Sequence, residues 1–221
     1  MAHPVIDRPH TVSSYDLQLA EVRAIINRLA EQAQAILSGG LDALLKGDPL
    51  AASEIIAADK AIDALERELE RLALHIIMSR APMAQDLRYL IGAIRIGKML
   101  ERTGDQGKRM ARRIDQFDLR AIGPRFPVLR QMERFAAAML ADAIEAFNRG
   151  SGPAARKVIE ADAQLNAMHQ SLMLACRDAM DRGELSSADG IQLVLLAKQL
   201  ERVGDYATNI AGDVAYMLEG A

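Results

Sequence analysis

The stretch that decides the fold is Leu100-Glu101-Arg102-Thr103-Gly104-Asp105, because it returns one hundred residues later as Leu200-Glu201-Arg202-Val203-Gly204-Asp205. The two copies differ only at Thr103 and Val203. Each copy lies near the end of a long helical pattern, so the chain contains one structural unit twice. Each copy also places two carboxylates four residues apart, on one face of its helix.

The apolar residues around both copies recur at alternating spacings of three and four, which is typical of packed helices. The third and sixth predicted helices match at an offset of 100, and the second and fifth match at an offset of 103. The apolar seam of the second is Ile55, Ala58, Ile62, Leu65, Leu69, Leu72 and Ile76, and that of the fifth is Val158, Ala161, Leu165, Met168, Leu172, Ala175 and Ala179.

Residues that cap, begin or end helices separate six long segments, with Asp48-Pro49 predicted to cap and begin the second. They are Asp48-Pro49, Pro82, Gly123-Pro124-Arg125-Phe126-Pro127, Gly150-Ser151-Gly152 and Gly183. No strand pattern competes, so we predict an all-α fold of two tandem, pseudo-symmetric up-down-up three-helix bundles. The predicted division is a flexible arm at 1–12, a first bundle at 13–120 and a second at 121–221.

Composition narrows the classes of function. Hydrophobic residues make up 50% of the chain and aromatic residues 4%, which suits a core of packed helices. The net charge of −3 does not provide the excess of positive charge that is typical of nucleic-acid-binding proteins. The single Cys176 fits a reducing compartment, and we find neither a signal peptide nor an apolar run long enough to span a membrane. We therefore expect a cytoplasmic protein that binds no nucleic acid and does not span the membrane.

The carboxylates of neighbouring helices fall at the same level. If the second and third helices form an antiparallel hairpin centred on Pro82, Asp59 lies opposite Asp105 and Asp63 opposite Glu101. The fifth and sixth helices repeat this arrangement, with Asp162 opposite Asp205 and Asn166 opposite Glu201. The acids of the first half, Asp59, Asp63, Glu101 and Asp105, are predicted to lie off the apolar seams.

Several acids at one level repel each other, and a hard cation would reverse that repulsion. The predicted metal ligands are Asp59, Asp63, Glu101, Asp105, Asp162, Asn166, Glu201, Asp205 and Asn209. Oxygen ligands favour iron, manganese, magnesium or calcium. The alternative is a solvated face whose acids are neutralised by neighbouring cations; around the first cluster these are Lys60, Lys98, Arg102 and Arg109.

The chain resembles the PhoU family of phosphate-signalling regulators. The resemblance rests on Pro82-Met83-Ala84-Gln85-Asp86-Leu87-Arg88 and on the two repeated motifs, the second extended through Tyr206-Ala207-Thr208-Asn209-Ile210-Ala211. It implies metal clusters at the acids named above. Two departures are Asn166, where an acid is expected, and Gln106-Gly107-Lys108-Arg109, where the second repeat has Tyr206-Ala207-Thr208-Asn209.

The resemblance also implies a regulatory role without catalysis. Such a protein links the ATPase subunit of the phosphate ABC transporter to a sensor histidine kinase and represses phosphate-starvation genes when phosphate is plentiful. We expect a homodimer that reaches the membrane only through its partners. The alternatives are a metal-free helical scaffold and a ferritin-like di-metal protein. The di-metal protein is disfavoured because His75 and His169 lack a glutamate three residues earlier.

Overall fold

The computed structural model describes residues 13–116 and 118–219, so the predicted arm at 1–12 lies outside the described residues. These described ranges contain seven α-helices and no strand, which confirms the all-α prediction. The helices are α1 (Ser13–Lys46), α2 (Pro49–Arg80), α3 (Gln85–Ala111), α4 (Leu119–Ile122), α5 (Val128–Arg149), α6 (Gly152–Asp181) and α7 (Ser187–Glu219). A single 3-10 turn, Gly123–Arg125, follows α4.

Side-chain caps mark the starts of several helices. The Asp48 carboxylate accepts hydrogen bonds from the backbone N–H groups of Leu50 and Ala51 at 3.0 and 3.1 Å. At the start of α7, Ser186 Oγ accepts from the N–H of Asp189 at 3.1 Å. These side chains satisfy N–H groups that have no partner inside the helix, so the sequence itself positions the helix starts that set the level of the acids.

Helices α1, α2 and α3 pack against one another as one bundle, and α5, α6 and α7 form the other. The bundles meet mainly along α3 and α7, with a smaller contact between α1 and α5. One apolar core runs through both bundles. Gly40 of α1 permits a close crossing with α3, because a Cβ there would lie 2.2 Å from the carbonyl oxygen of Gly107. Helix α1 continues through this point.

The six long helices are those predicted, and the break between the halves adds only the four-residue helix α4. Two details of the predicted seams are wrong. Ala58, placed on the α2 seam, is exposed, whereas its neighbour Asp59 is buried with 5% of its surface accessible. On α6, Ala175 is likewise exposed and Cys176 is buried. At both places the buried residue therefore lies one position after the predicted one, and on α2 Asp59 pairs with Lys108 of α3.

None of the helices in the described ranges combines the length and the apolar character needed to cross a bilayer.

Candidate metal centres in the two halves

The first acidic cluster is organised around a lysine. Lys108 on α3 forms ion pairs with Asp59 across the helix–helix interface and with Asp105 on its own helix, the latter at 2.8 Å. Asp59 and Asp105 are thus at one level, as the hairpin alignment predicted. The ammonium group occupies the place between them that a metal ion would need.

A second lysine, Lys98, lies ten residues before Lys108 on α3, nearly three helical turns away. Lys98 Nζ lies 3.0 Å from Glu101 Oε2 and 3.9 Å from Glu66 Oε1. The acid of α2 that shares a lysine with Glu101 is therefore Glu66, whereas the level of Asp63 with Glu101 stays a prediction. Asp63 is half-buried on the same helix. Lys98 keeps 46% of its side-chain surface exposed, so this pair is far better solvated than the one at Lys108, which keeps 17%.

Burial and ion pairing shift the pKa of Lys108 in opposite directions. Burial lowers its pKa, while the hydrogen bonds to Asp105 and Asp59 and the negative charges of both acids raise it, and the net pKa is raised. The first cluster is thus a closed ion-pair network, and its residues do not fit a metal ion unless Lys108 moves away.

The second cluster has no equivalent of Lys108, because Thr208 occupies that position. The Thr208 hydroxyl donates a hydrogen bond to the backbone carbonyl of Asp205 at 2.8 Å. Asn166 Nδ2 donates to Asp162 Oδ2 at 2.7 Å, and Lys198 Nζ lies 2.5 Å from Glu201 Oε2. The other carboxylate oxygen of Asp162 is buried and has no hydrogen-bond partner.

Electrostatics show that the acids of the second cluster are close enough to interact. Burial raises the pKa of Asp205, and the negative charges of Glu201 and Asp162 raise it further, against the opposing effect of Lys198 and Arg202. A carboxylate whose charge is disfavoured by its neighbours is stabilised by any cation that binds among them. The donor chemistry here suits a hard cation better than that of the first cluster.

The repeated glycine of each motif has a packing reason. A Cβ at Gly104 would lie 2.6 Å from Ile62 Cδ1, and one at Gly204 would lie 2.3 Å from Leu165 Cδ2 and 3.5 Å from Asp162 Oδ1. Glycine therefore lets α3 and α7 approach the neighbouring helix closely. This approach brings the acids of the two helices together.

The described part of the chain holds no group of three or more His, Cys, Asp or Glu side chains arranged to hold a metal ion. Asn209 is exposed, and its amide lies 4.0 Å from Met99 Sδ on the neighbouring bundle. The metal ligands therefore remain a prediction. The two clusters differ in that Lys108 neutralises acids of the first, whereas the second has Thr208 at that position.

The sequence prediction did not single out Lys108 or Glu66. The only local signal for Lys108 is its position three residues after Asp105, which allows a pair on one helix face. Nothing in the spacing indicates that its ammonium also reaches Asp59 on the facing helix.

Comparison with known proteins gives a consistent result. The PhoU domain family model matches residues 26–114 and 129–214. A Zymomonas mobilis protein named phosphate-specific transport system accessory protein PhoU homolog is 36% identical over 214 residues, or 96% of this chain and 89% of that protein. A Xylella fastidiosa protein of the same name is 34% identical over 211 residues, with coverages of 96% and 89%.

Solved structures agree with these sequence matches. The crystal structure of PhoU from Pseudomonas aeruginosa has a TM-score of 0.86 at 25% identity and covers 94% of this chain and 100% of its own. That of the phosphate transport system regulatory protein PhoU from Streptococcus pneumoniae has a TM-score of 0.85 at 26% identity, with coverages of 94% and 98%. Two matched domains, relatives along nearly the whole chain and the shared fold of the solved structures establish that this chain belongs to the PhoU family.

Proposed function

We propose that this chain is a metal-binding regulatory adaptor of phosphate homeostasis. In this role it links the ATPase subunit of a phosphate ABC transporter to a sensor histidine kinase and represses phosphate-starvation genes when phosphate is plentiful. The observation that carries the proposal is family membership, since relatives over 96% of the chain are named as accessory proteins of the phosphate-specific transport system. The chain acts by binding its partners, without catalysing a reaction.

The proposal includes a cytoplasmic homodimer that approaches the membrane through its partners. The long helices support it by presenting extended outer faces, on which both leucine and methionine side chains are exposed. Adaptors need such faces because each partner must be contacted while the bundle core stays intact.

The metal part of the proposal is assigned mainly to the second cluster, through Asp162, Asn166, Glu201 and Asp205. When bound, the cation supplies positive charge that offsets the repulsion among these acids. Two observations support this assignment: one buried carboxylate oxygen of Asp162 has no hydrogen-bond partner, and the pKa of Asp205 is raised. At the first cluster, Lys108 supplies a positive charge from the chain itself, which favours a metal-free scaffold role for that half.

The metal assignment is tested by titrating protein freed of metal with manganese or iron and measuring the bound ion by elemental analysis. Asp162→Asn combined with Asp205→Asn should abolish most of the binding. The matched pair Asp59→Asn with Asp105→Asn should leave most of it unchanged. Absence of binding by the unaltered protein at millimolar metal would overturn the metal part of the proposal.

The cellular role is tested by deleting the gene and measuring a phosphate-starvation reporter in phosphate-rich medium. Expression of the reporter should rise in the deletion strain and return to normal when the unaltered chain is restored. Strains carrying each cluster variant at equal protein level show whether metal binding is part of the regulation. Normal phosphate control in the deletion strain would refute the regulatory role.

A further inference from the structure

Three arginines line one cavity where the two bundles meet. Arg109, Arg112 and Arg113 come from the last turn of α3 and the residues just after it, and Gln116 and Gln199 complete the lining. The cavity is open and measures about 270 Å³. This is below the range of roughly 300–1,000 Å³ found for pockets that hold drug-sized molecules, so its size suits a small ion.

The positive charge in this cavity is not balanced by nearby acids. Arg109 has one carboxylate at the limit of pairing, Asp105 at 3.9 Å, and that carboxylate is already held by Lys108 at 2.8 Å. For Arg112 and Arg113, no ion pair forms within residues 13–116 and 118–219. Arginines spaced three and four residues apart on one helix face repel each other. The helix dipole favours cations in a last turn, yet it does not remove the repulsion among three of them.

Another arginine-lined cavity of the same fold shows the contrast. It contains Arg125 and Arg182, but also Glu184, whose carboxylate pairs with both guanidinium groups at 3.6 and 3.0 Å. There the chain supplies its own anion. At the α3 cavity the chain supplies three cations and leaves the anionic position open.

Two buried polar groups in the lining also have no partner. Arg113 donates one guanidinium N–H to Gln192, yet its buried Nε has no acceptor. Gln199 keeps only 8% of its surface exposed, and its side-chain oxygen has no hydrogen-bond partner. Turning the amide by half a rotation places its NH2 group at that point as a donor. Buried polar groups of this kind usually have a partner, which here would be a ligand.

We propose that this cavity binds a small multivalent oxyanion of the phosphate type, held by the guanidinium groups of Arg109, Arg112 and Arg113 and by the side-chain amide of Gln199. Planar guanidinium groups donate two parallel hydrogen bonds to such an anion, which a point charge does not. The site adjoins the first acidic cluster only through Arg109, which lies 3.9 Å from Asp105, and it does not depend on a bound metal. Because it lies between α3 and α7, an anion there bridges the two bundles.

The test is isothermal titration calorimetry of the full chain with inorganic phosphate, in buffer containing a metal chelator. The unaltered protein should bind phosphate at one site. Arg112→Gln should weaken binding about tenfold or more, because a hydrogen bond between charged groups is lost. Arg112 is exposed, so this change leaves the core packing intact. Arg113→Gln, checked for folding by circular dichroism, should weaken binding similarly.

Matched controls separate this site from general charge effects. Arg182→Gln removes an arginine that is already paired with Glu184 and should leave phosphate affinity unchanged. Asp162→Asn should also leave it unchanged, even where it abolishes metal binding. Sodium chloride at equal ionic strength should give no saturable heat. The proposal is overturned if phosphate does not bind at millimolar concentration, if Arg112→Gln and Arg182→Gln behave alike, or if Asp162→Asn abolishes phosphate binding.

Discussion

Replacing Lys108 by methionine tests whether an internal cation holds the first acidic cluster together. The methionine keeps most of the side-chain length and removes the ammonium group. Asp59 then remains on α2 with 5% of its surface exposed and without its ion-pair partner. Asp105 is less affected, because 26% of its side chain is exposed and Arg109 lies within 3.9 Å.

The expected loss of unfolding free energy is about 3 kcal/mol. Removing one partner of a buried ion pair costs about 3–5 kcal/mol, since the remaining charge stays buried. The lower end applies because Lys108 itself keeps 17% of its side chain exposed. Combining Lys108→Met with Asp59→Asn should cost much less than Lys108→Met alone, because no unpaired buried charge then remains.

The measurement is denaturant unfolding followed by far-UV circular dichroism, at neutral pH and at about pH 11. The folded-state pKa of Lys108 is raised, so its contribution is complete below the unfolded value of about 10.4 and is lost as the pH rises through the folded value. The difference between the unaltered protein and Lys108→Met should therefore shrink at high pH.

Lys98→Met is the matched control, because Lys98 pairs with two acids on the same face but keeps 46% of its side chain exposed. Lys98→Met should lower the free energy of unfolding by less than about 1 kcal/mol, as for other exposed ion pairs. If Lys108→Met costs no more than Lys98→Met at neutral pH, the buried pair does not stabilise the first cluster and the reasoning is wrong.

Three further changes test the packing and the second cluster. Leu65→Ala should lower the free energy of unfolding by ~2–5 kcal/mol, measured with denaturant, because it opens a cavity. Ala64→Ser on the exposed face should change it by no more than ~0.5 kcal/mol, and equal effects would show that Leu65 does not lie on the buried face of α2. Gly40→Ala should destabilise by about 1–3 kcal/mol, because its Cβ would lie 2.2 Å from a backbone oxygen of α3. At Gly212 an added Cβ would have no neighbour within 4 Å, so Gly212→Ala should stabilise the protein by ~0.5–1 kcal/mol. If Gly40→Ala proved the more stable of the two variants, the close contact of Gly40 with α3 would be contradicted. In metal-free protein, Asp205→Asn should raise the melting temperature at neutral pH, since the raised pKa of Asp205 makes stability fall as the pH rises from about 3.9 through its folded value. This gain should vanish below about pH 3.9, and a loss at neutral pH would refute it.

The sequence by itself determined the fold class, the repeat and the common level of Asp59 and Asp105. These follow from local rules: apolar spacing defines a helix face, Asp48 and Ser186 set helix starts, and short connections force antiparallel neighbours. The pairing of Asp59 and Asp105 about Lys108 agrees with that alignment. Family membership was also predictable, because the repeated motif and its spacing are specific.

Only the tertiary structure decided which charges meet. A helical pattern gives directions relative to one helix axis, but the rotation of that helix depends on how a third helix packs against it. This rotation buries Asp59 instead of Ala58 and brings Glu66, not Asp63, to the lysine beside Glu101. The same packing sets Gln199 of α7 beside the arginines that end α3. Such contacts join residues far apart in the chain, and no periodicity within one helix encodes them.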